Sequence, residues 1–315
     1  ENFPGQTQDK TYHYDANGNL TQISAGTGSQ TISWNYLYNS LNLIEKETLT
    51  LEGKSFVLDW EYSNLGAVSS LRYPSGRTIN YAPNALGQPT QAVSGSMRLA
   101  TQVSYHPNGQ LKQFTYGNGL VRKVVLDSTG RIDDISDGKD TKYPLTLNPS
   151  YDHNDNLTEV VDWFDRKNDI TNMSYDGANR LLSADGKWGS GHYRYDGLGN
   201  ITSRSISGSV IHYHYNSLNR LDRLTGAYRY NYTYDARGNV THNGRYPLTF
   251  NQANQLVTAK GISYLYDGHN RRVKKDDDYS IYSQAGQLLH RRNVDNHKID
   301  SVYLGKQLIA DIESR

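Results

Sequence analysis

Asp15-Ala16-Asn17-Gly18-Asn19 and Asp152-His153-Asn154-Asp155-Asn156 alternate oxygen donors in the way that opens a calcium-binding loop. Such a loop also needs a glycine at its sixth position, a glutamate at its twelfth and two flanking helices, and neither stretch supplies them. His212-x-His214 would put two imidazoles on one face of a strand, a usable zinc spacing, but no third ligand stands at a linked position. The 32 Asp and Glu residues could include a glycosidase pair, and four tryptophans, Trp34, Trp60, Trp163 and Trp188, could serve as platforms for stacked sugar rings. No G-x-S-x-G elbow is present, and without cysteine there is no thiol nucleophile, thiolate metal site or disulfide. The expectation is therefore a protein with no catalytic residue, metal or cofactor.

The acidic residues have a simpler assignment. A seven-residue pattern recurs along nearly the whole chain: aromatic, Asp or Asn, two free positions, Gly or Asn, one free position, apolar. The clearest copies are Tyr14-Asp15-x-x-Gly18-x-Leu20, Tyr195-Asp196-x-x-Gly199-x-Ile201 and Tyr234-Asp235-x-x-Gly238-x-Val240. Variants begin at Tyr38-Asn39, Tyr175-Asp176, Tyr215-Asn216 and Tyr266-Asp267, and weaker copies at Tyr62, Pro83, Tyr105, Leu126, Tyr151, Phe250 and Tyr282. Gly, Asn or Asp holds the fifth position in all 14 copies. Asp, Asn or Ser followed three residues later by Gly is the preference of a type I turn, and a left-handed residue after it makes the G1-bulge hairpin. The Asp side chain then accepts hydrogen bonds from the turn's own backbone.

Strands must carry these turns. Tyr12 and Tyr14, Tyr193 and Tyr195, Tyr213 and Tyr215, and Tyr232 and Tyr234 lie two apart, so each pair shares a sheet face. Cross-strand aromatic pairs contribute about 0.2–1 kcal/mol each, and tyrosine ladders could stand in for an aliphatic core. The copies are 24 residues apart near the N-terminus and 16 near the C-terminus, which predicts strands shortening along a ribbon. A ribbon of about 28 strands at ~4.8 Å spacing cannot stay flat and must coil. The expected fold class is all-β: one long antiparallel hairpin strip, coiled as a spiral, open barrel or partial shell. Residues 1–315 are expected to form a single repeat region, with open sheet edges through which the chain would self-associate.

Composition agrees. Of 315 residues, 36% are hydrophobic; tyrosine reaches 26 and glycine 28, against two methionines. Tyrosine favours strands and glycine favours turns. The formal net charge of +1 gives no electrostatic case for nucleic acid, and no apolar run is long enough for a membrane span. A chain that starts at Glu1 without a leader is expected to be a processed product or a fragment.

These copies resemble the YD-repeat (RHS-repeat) family, from Tyr12 to about residue 288. Tyr193–Ile201 and Tyr232–Val240 are near its consensus, and Tyr264–Lys275 followed by Tyr303–Ala310 is similar to the run that leads into the core of bacterial Rhs, cell-wall-associated and toxin-complex proteins. Animal teneurins share the repeat. The resemblance implies a β-strip spiralling into a hollow shell, which in the bacterial proteins encloses a C-terminal toxin. Residues 289–315 would lead toward a core that this sequence does not contain. The implied role is a non-enzymatic shell segment, secreted or at the bacterial cell surface, with the rest of the parent polypeptide (core and toxin) as its partner. The alternative is an adhesive module binding glycans or cell-surface proteins.

Overall fold

A computed structural model describes residues 9–314. Residues 1–8 and 315, the outer ends of the expected repeat region, lie outside the described residues. Among those described are 31 β-strands, two short 3-10 turns and no α-helix. Strands pair antiparallel with their sequence neighbours, in open sheets without crossover. The all-β hairpin fold expected from the repeat is what the chain adopts.

The hairpins close as the seven-residue pattern dictates. Register slips by one residue at the repeat's aromatic position, between His13 and Tyr14, Glu61 and Tyr62, Arg194 and Tyr195, and His214 and Tyr215. A one-residue slip beside a left-handed turn residue is the G1 bulge. Long strands occur in the first half, Ile44–Leu51, Lys54–Tyr62 and, longest of all, Lys142–Tyr151, and strands shrink to Leu248–Phe250 and Leu256–Ala259. The shortening then reverses: Lys298–Leu304 and Gln307–Ser314 are long again, and the first of them is largely buried.

The chain divides into two compact units. One takes the residues up to Gln102 together with those from Pro247 on; the other is Val103–Tyr246. In the first unit the early hairpins and the last ones face each other across a shared core. Trp34, Leu49, Phe56, Leu58, Leu71 and Ile79 from the early strands are buried there, as are Val273, Ile281, Leu289 and Val302 from the late ones. Phe56 packs on Tyr279 with ring centroids 5.4 Å apart. This is sheet-on-sheet packing, and it corrects the expectation that tyrosine ladders replace an oily interior. Most of the buried aliphatic residues lie in this unit.

The second unit is closer to the ladder picture. Among its described residues the buried apolar side chains are Phe114, Ala184 and Ile211. Its repeat tyrosines lie half-buried on one face, while His192, Arg194, Ser203 and His212 alternate to the other.

Candidate functional site

Each repeat builds the same turn. In the copy at Tyr195, the Asp196 N–H donates to Asn200 O at 2.9 Å and the Gly199 N–H to Asp196 O at 3.2 Å. Asp196 Oδ1 accepts the N–H groups of Leu198 and Asn200, both at 2.9 Å, and Oδ2 accepts the Asn200 side-chain amide at 2.8 Å. Asp15, Asp152 and Asp235 repeat this set. Asn39 and Asn216 reproduce its two backbone contacts with an amide oxygen. The fifth position is left-handed in every copy, from φ +57° at Asn179 to +91° at Gly238, and only Gly, Asn or Asp takes that conformation at small cost.

These contacts settle the local chemistry of the acidic residues. The side-chain amide of Asn200 and the neighbouring backbone N–H groups hold the Asp196 carboxyl below the usual carboxylate range, and those of Asn19 do the same for Asp15. In Asp152-His153-Asn154-Asp155-Asn156 the first carboxylate is occupied by Asn154 and Asn156 rather than aimed at a shared centre. Among the described residues no three His, Asp or Glu side chains gather as a metal cage, and His214 Nε2 meets Thr225 Oγ1 at 2.8 Å.

The tyrosine ties one repeat to the one before it. Tyr38 donates its hydroxyl to Leu20 O, Tyr62 to Ile44 O, Tyr151 to Ile132 O and Tyr175 to Leu157 O. Tyr195 reaches Leu181 O, Tyr215 reaches Ile201 O and Tyr234 reaches Leu221 O. Every acceptor is the apolar seventh position of the preceding copy. The sixth position adds a second tie. Asn19 and Asn200 donate to Asn42 and Asn219, the fifth residues of the following copies, while Arg131 and Arg180 lie 4.7 Å over the rings of Tyr151 and Tyr195. Aromatic, acid, turn residue and apolar position are therefore one interlocking device.

One copy has a different task. Asp267 is buried, with Oδ2 accepting the Trp34 indole N–H at 2.8 Å and Oδ1 accepting Arg271 N–H at 2.8 Å. Beside it Tyr36 OH meets His269 Nε2 at 2.8 Å, and burial pushes the His269 imidazole below its usual range. Farther along, buried Glu47 accepts the Trp60 indole N–H at 2.9 Å and the Gln284 backbone N–H at 2.6 Å. Burial raises the Glu47 carboxyl to about 7, against the pull of those two donors and of Arg271. Asp300, also buried, holds His290 Nδ1 at 2.7 Å and the Ser75 hydroxyl at 2.5 Å, with Arg77 Nε at 3.3 Å. Serine and histidine meet the acid rather than each other, so the serine–histidine contact of a Ser-His-Asp triad is not made. These contacts fasten the early and late hairpins of the first unit together.

The four tryptophans separate. Trp34 is fully buried, so it packs and binds Asp267 instead of offering a ring face, correcting its assignment as a sugar platform. Trp60 is half-buried with its N–H committed to Glu47. Trp163 and Trp188, at 62% and 44% exposure, present open rings. The basic run at Arg271 is offset partly by Asp277, 3.8 Å from Lys274, and more closely by Glu52 at 2.8 Å. Three further copies of the turn were not read from the sequence: Tyr73 N–H donates to Arg77 O, Tyr116 N–H to Leu120 O and Asn293 N–H to His297 O, with Gly76, Gly119 and Asn296 left-handed. The last has Arg292 in the aromatic position and follows the copy at Tyr282 by ten residues, which hides it from a search for spaced tyrosines. Glu47, His269 and the Asp300 group gave no motif signal, because their partners lie more than 200 residues away or on the adjacent strand.

Residues 205–308 match the family model described as Teneurin YD-shell. No curated protein matches the chain. Among solved structures, the TcdB2-TccC3 crystal structure superposes with a TM-score of 0.68 at 14% identity, over 96% of this chain and 20% of that one. The Photorhabdus luminescens Tc holotoxin pore carrying TccC3-D651A gives 0.67 at 15% identity, again over 96% and 20%. TcdB2-TccC3-Cdc42 gives 0.64 at 14%, over 93% and 20%. The chain spans about a fifth of the length of these structures, and at such identity the likeness is one of fold. With that fold along nearly its whole length and the YD-shell family's pattern in its last third, the chain carries the YD-repeat of the shell type.

Proposed function

We propose that this chain is a non-enzymatic wall segment of a larger secreted bacterial polypeptide, in which the completed shell encloses a C-terminal toxin. The observation that carries the reading is the tyrosine tie that seven of the repeats make to the carbonyl before them. A device that commits its aromatic, acidic and turn residues to holding neighbouring hairpins together suits a continuous wall and leaves little for chemistry. The fold likeness to toxin-complex proteins supports the same role. Residues 9–314 contain no helix long and apolar enough to cross a membrane. The remainder of the parent chain would supply the neighbouring wall and the cargo. Limited proteolysis of the whole parent polypeptide tests this. Its C-terminal region should survive a protease that digests the same region expressed alone; equal digestion rates would exclude enclosure.

A second reading, a module that binds glycans or cell-surface proteins, is favoured by the exposed rings of Trp163 and Trp188. Saturable retention on a glycan array, with no protection of a C-terminal cargo, would select it.

A further inference from the structure

In the second unit, a cleft of about 1200 Å³ opens beside the hairpin tip at residues 139–142. Ser136 and Thr146, opposite each other in register, form its floor. Tyr143, Trp163 and Phe164 form its walls, at 49%, 62% and 65% exposure. Three large exposed rings around one cleft differ from singly scattered apolar residues, which need no explanation.

The rings are held in place. Asp162, buried, accepts the N–H groups of Phe164 and Asp165 and the Asn168 amide, while its own N–H donates to Asp169 Oδ1. The Trp163 N–H donates to Thr146 O at 2.9 Å, and the Arg166 guanidinium sits 4.9 Å from the indole centroid. The Tyr143 ring lies against the backbone of Gly138, where an added Cβ would stand 2.2 Å from Tyr143 Cδ1. Glycine there is what lets the ring lie on the strand. Ring faces fixed before binding lower the ordering cost of a ligand.

The rim supplies charge. Lys139 and Lys142 face each other directly across the hairpin and both border the cleft. Like charges in directly opposed positions destabilise a hairpin. Neither ammonium forms an ion pair among the described residues, and Asp140 between them in sequence pairs with neither. An anion in the cleft would relieve that repulsion.

We infer that this cleft binds an acidic saccharide. A pyranose presents an apolar C–H face that stacks on the electron-rich faces of Trp163 and Tyr143, and hydroxyls for Ser136, Thr146 and the Tyr143 hydroxyl. Its carboxylate or sulfate would lie between Lys139 and Lys142. The inference rests on the recognition reading and is independent of the wall role.

The test uses the whole chain, fluorescently labelled, on an array of carboxylated, sulfated and neutral glycans at physiological salt. Retention should be confined to acidic glycans. It should fall at least ~10-fold for Trp163→Ala and for Lys139→Gln/Lys142→Gln, a loss typical of removing one well-placed contact, and persist for Trp188→Ala. Circular dichroism unchanged from wild type confirms that the exposed variants fold. Retention on neutral glycans alone would overturn the acidic assignment while sparing glycan recognition; retention on none would overturn both. Loss through the lysines with Trp163→Ala unaffected would show plain charge attraction, and loss in Trp188→Ala alone would place the site elsewhere.

Discussion

Glu47 should make the first unit's stability depend on pH in the direction opposite to most acidic residues. Its carboxylate sits between the early hairpins and the turn at Gln284, 2% exposed, with each oxygen accepting one N–H. Burial raises its folded-state value to about 7, against an ordinary 4.5. For an acid with a raised value the folded state binds the proton more tightly. Its contribution is therefore greatest below pH 4.5, declines as pH rises to 7, and is flat above. At 1.36 kcal/mol per pH unit the interval amounts to about 3 kcal/mol, an order-of-magnitude figure. Glu47→Gln keeps the shape and removes the titration. Urea unfolding of wild type and variant between pH 4.5 and 8, followed by tryptophan fluorescence, separates this group from all others. The stability difference, wild type minus variant, should fall by about 3 kcal/mol across that range. A difference independent of pH would refute the reasoning, and would mean that the two N–H donors keep the carboxylate charged despite burial.

Four further outcomes follow from the repeat. Tyr215→Phe removes the hydroxyl bond to Ile201 O and should cost about 1 kcal/mol, read as a lowered unfolding midpoint without change in circular dichroism. Asp196→Ala should lower the thermal midpoint and Asp196→Asn should largely restore it, since Asn216 fills the same slot. Because the turn carboxylates are depressed in the folded state, they stabilise it above their ordinary value of 3.8 and lose that contribution as pH falls further; acid titration followed by circular dichroism should show unfolding there. Gly268→Ala and Gly197→Ala occupy the same third position of the repeat but should differ. A Cβ at Gly268 would stand 2.5 Å from Ile23 Cγ1, whereas Gly197 has nothing within 4 Å, so Gly268→Ala alone should cost stability, by about 1–3 kcal/mol, measured by urea unfolding.

The hairpins were legible because each is specified by seven adjacent residues. Asp196 accepts from Leu198 and Asn200, and Gly199 turns the chain, all within one copy, so spacing alone reveals the turn. The tie from Tyr215 to Ile201 was not foreseen, although tyrosine and apolar residue are both in the pattern, because nothing local says which repeat a hydroxyl will reach. The core of the first unit was illegible for a related reason. Trp34 and Asp267 are separated by 233 residues, and at sequence level Trp34 resembles Trp163. Burial alone distinguishes a tryptophan that packs from one that faces a cleft. Nothing local in the sequence singles out Lys139 and Lys142; it is the register that places them opposite each other.

The wall reading meets its most direct test in cryo-electron microscopy of the whole parent polypeptide. The account expects the hairpins of residues 9–314 to continue, strand by strand, into a closed wall with separate density inside it. A map in which these residues form an appended lobe, with no hydrogen-bonded strand joining them to the rest and no enclosed volume, would contradict it.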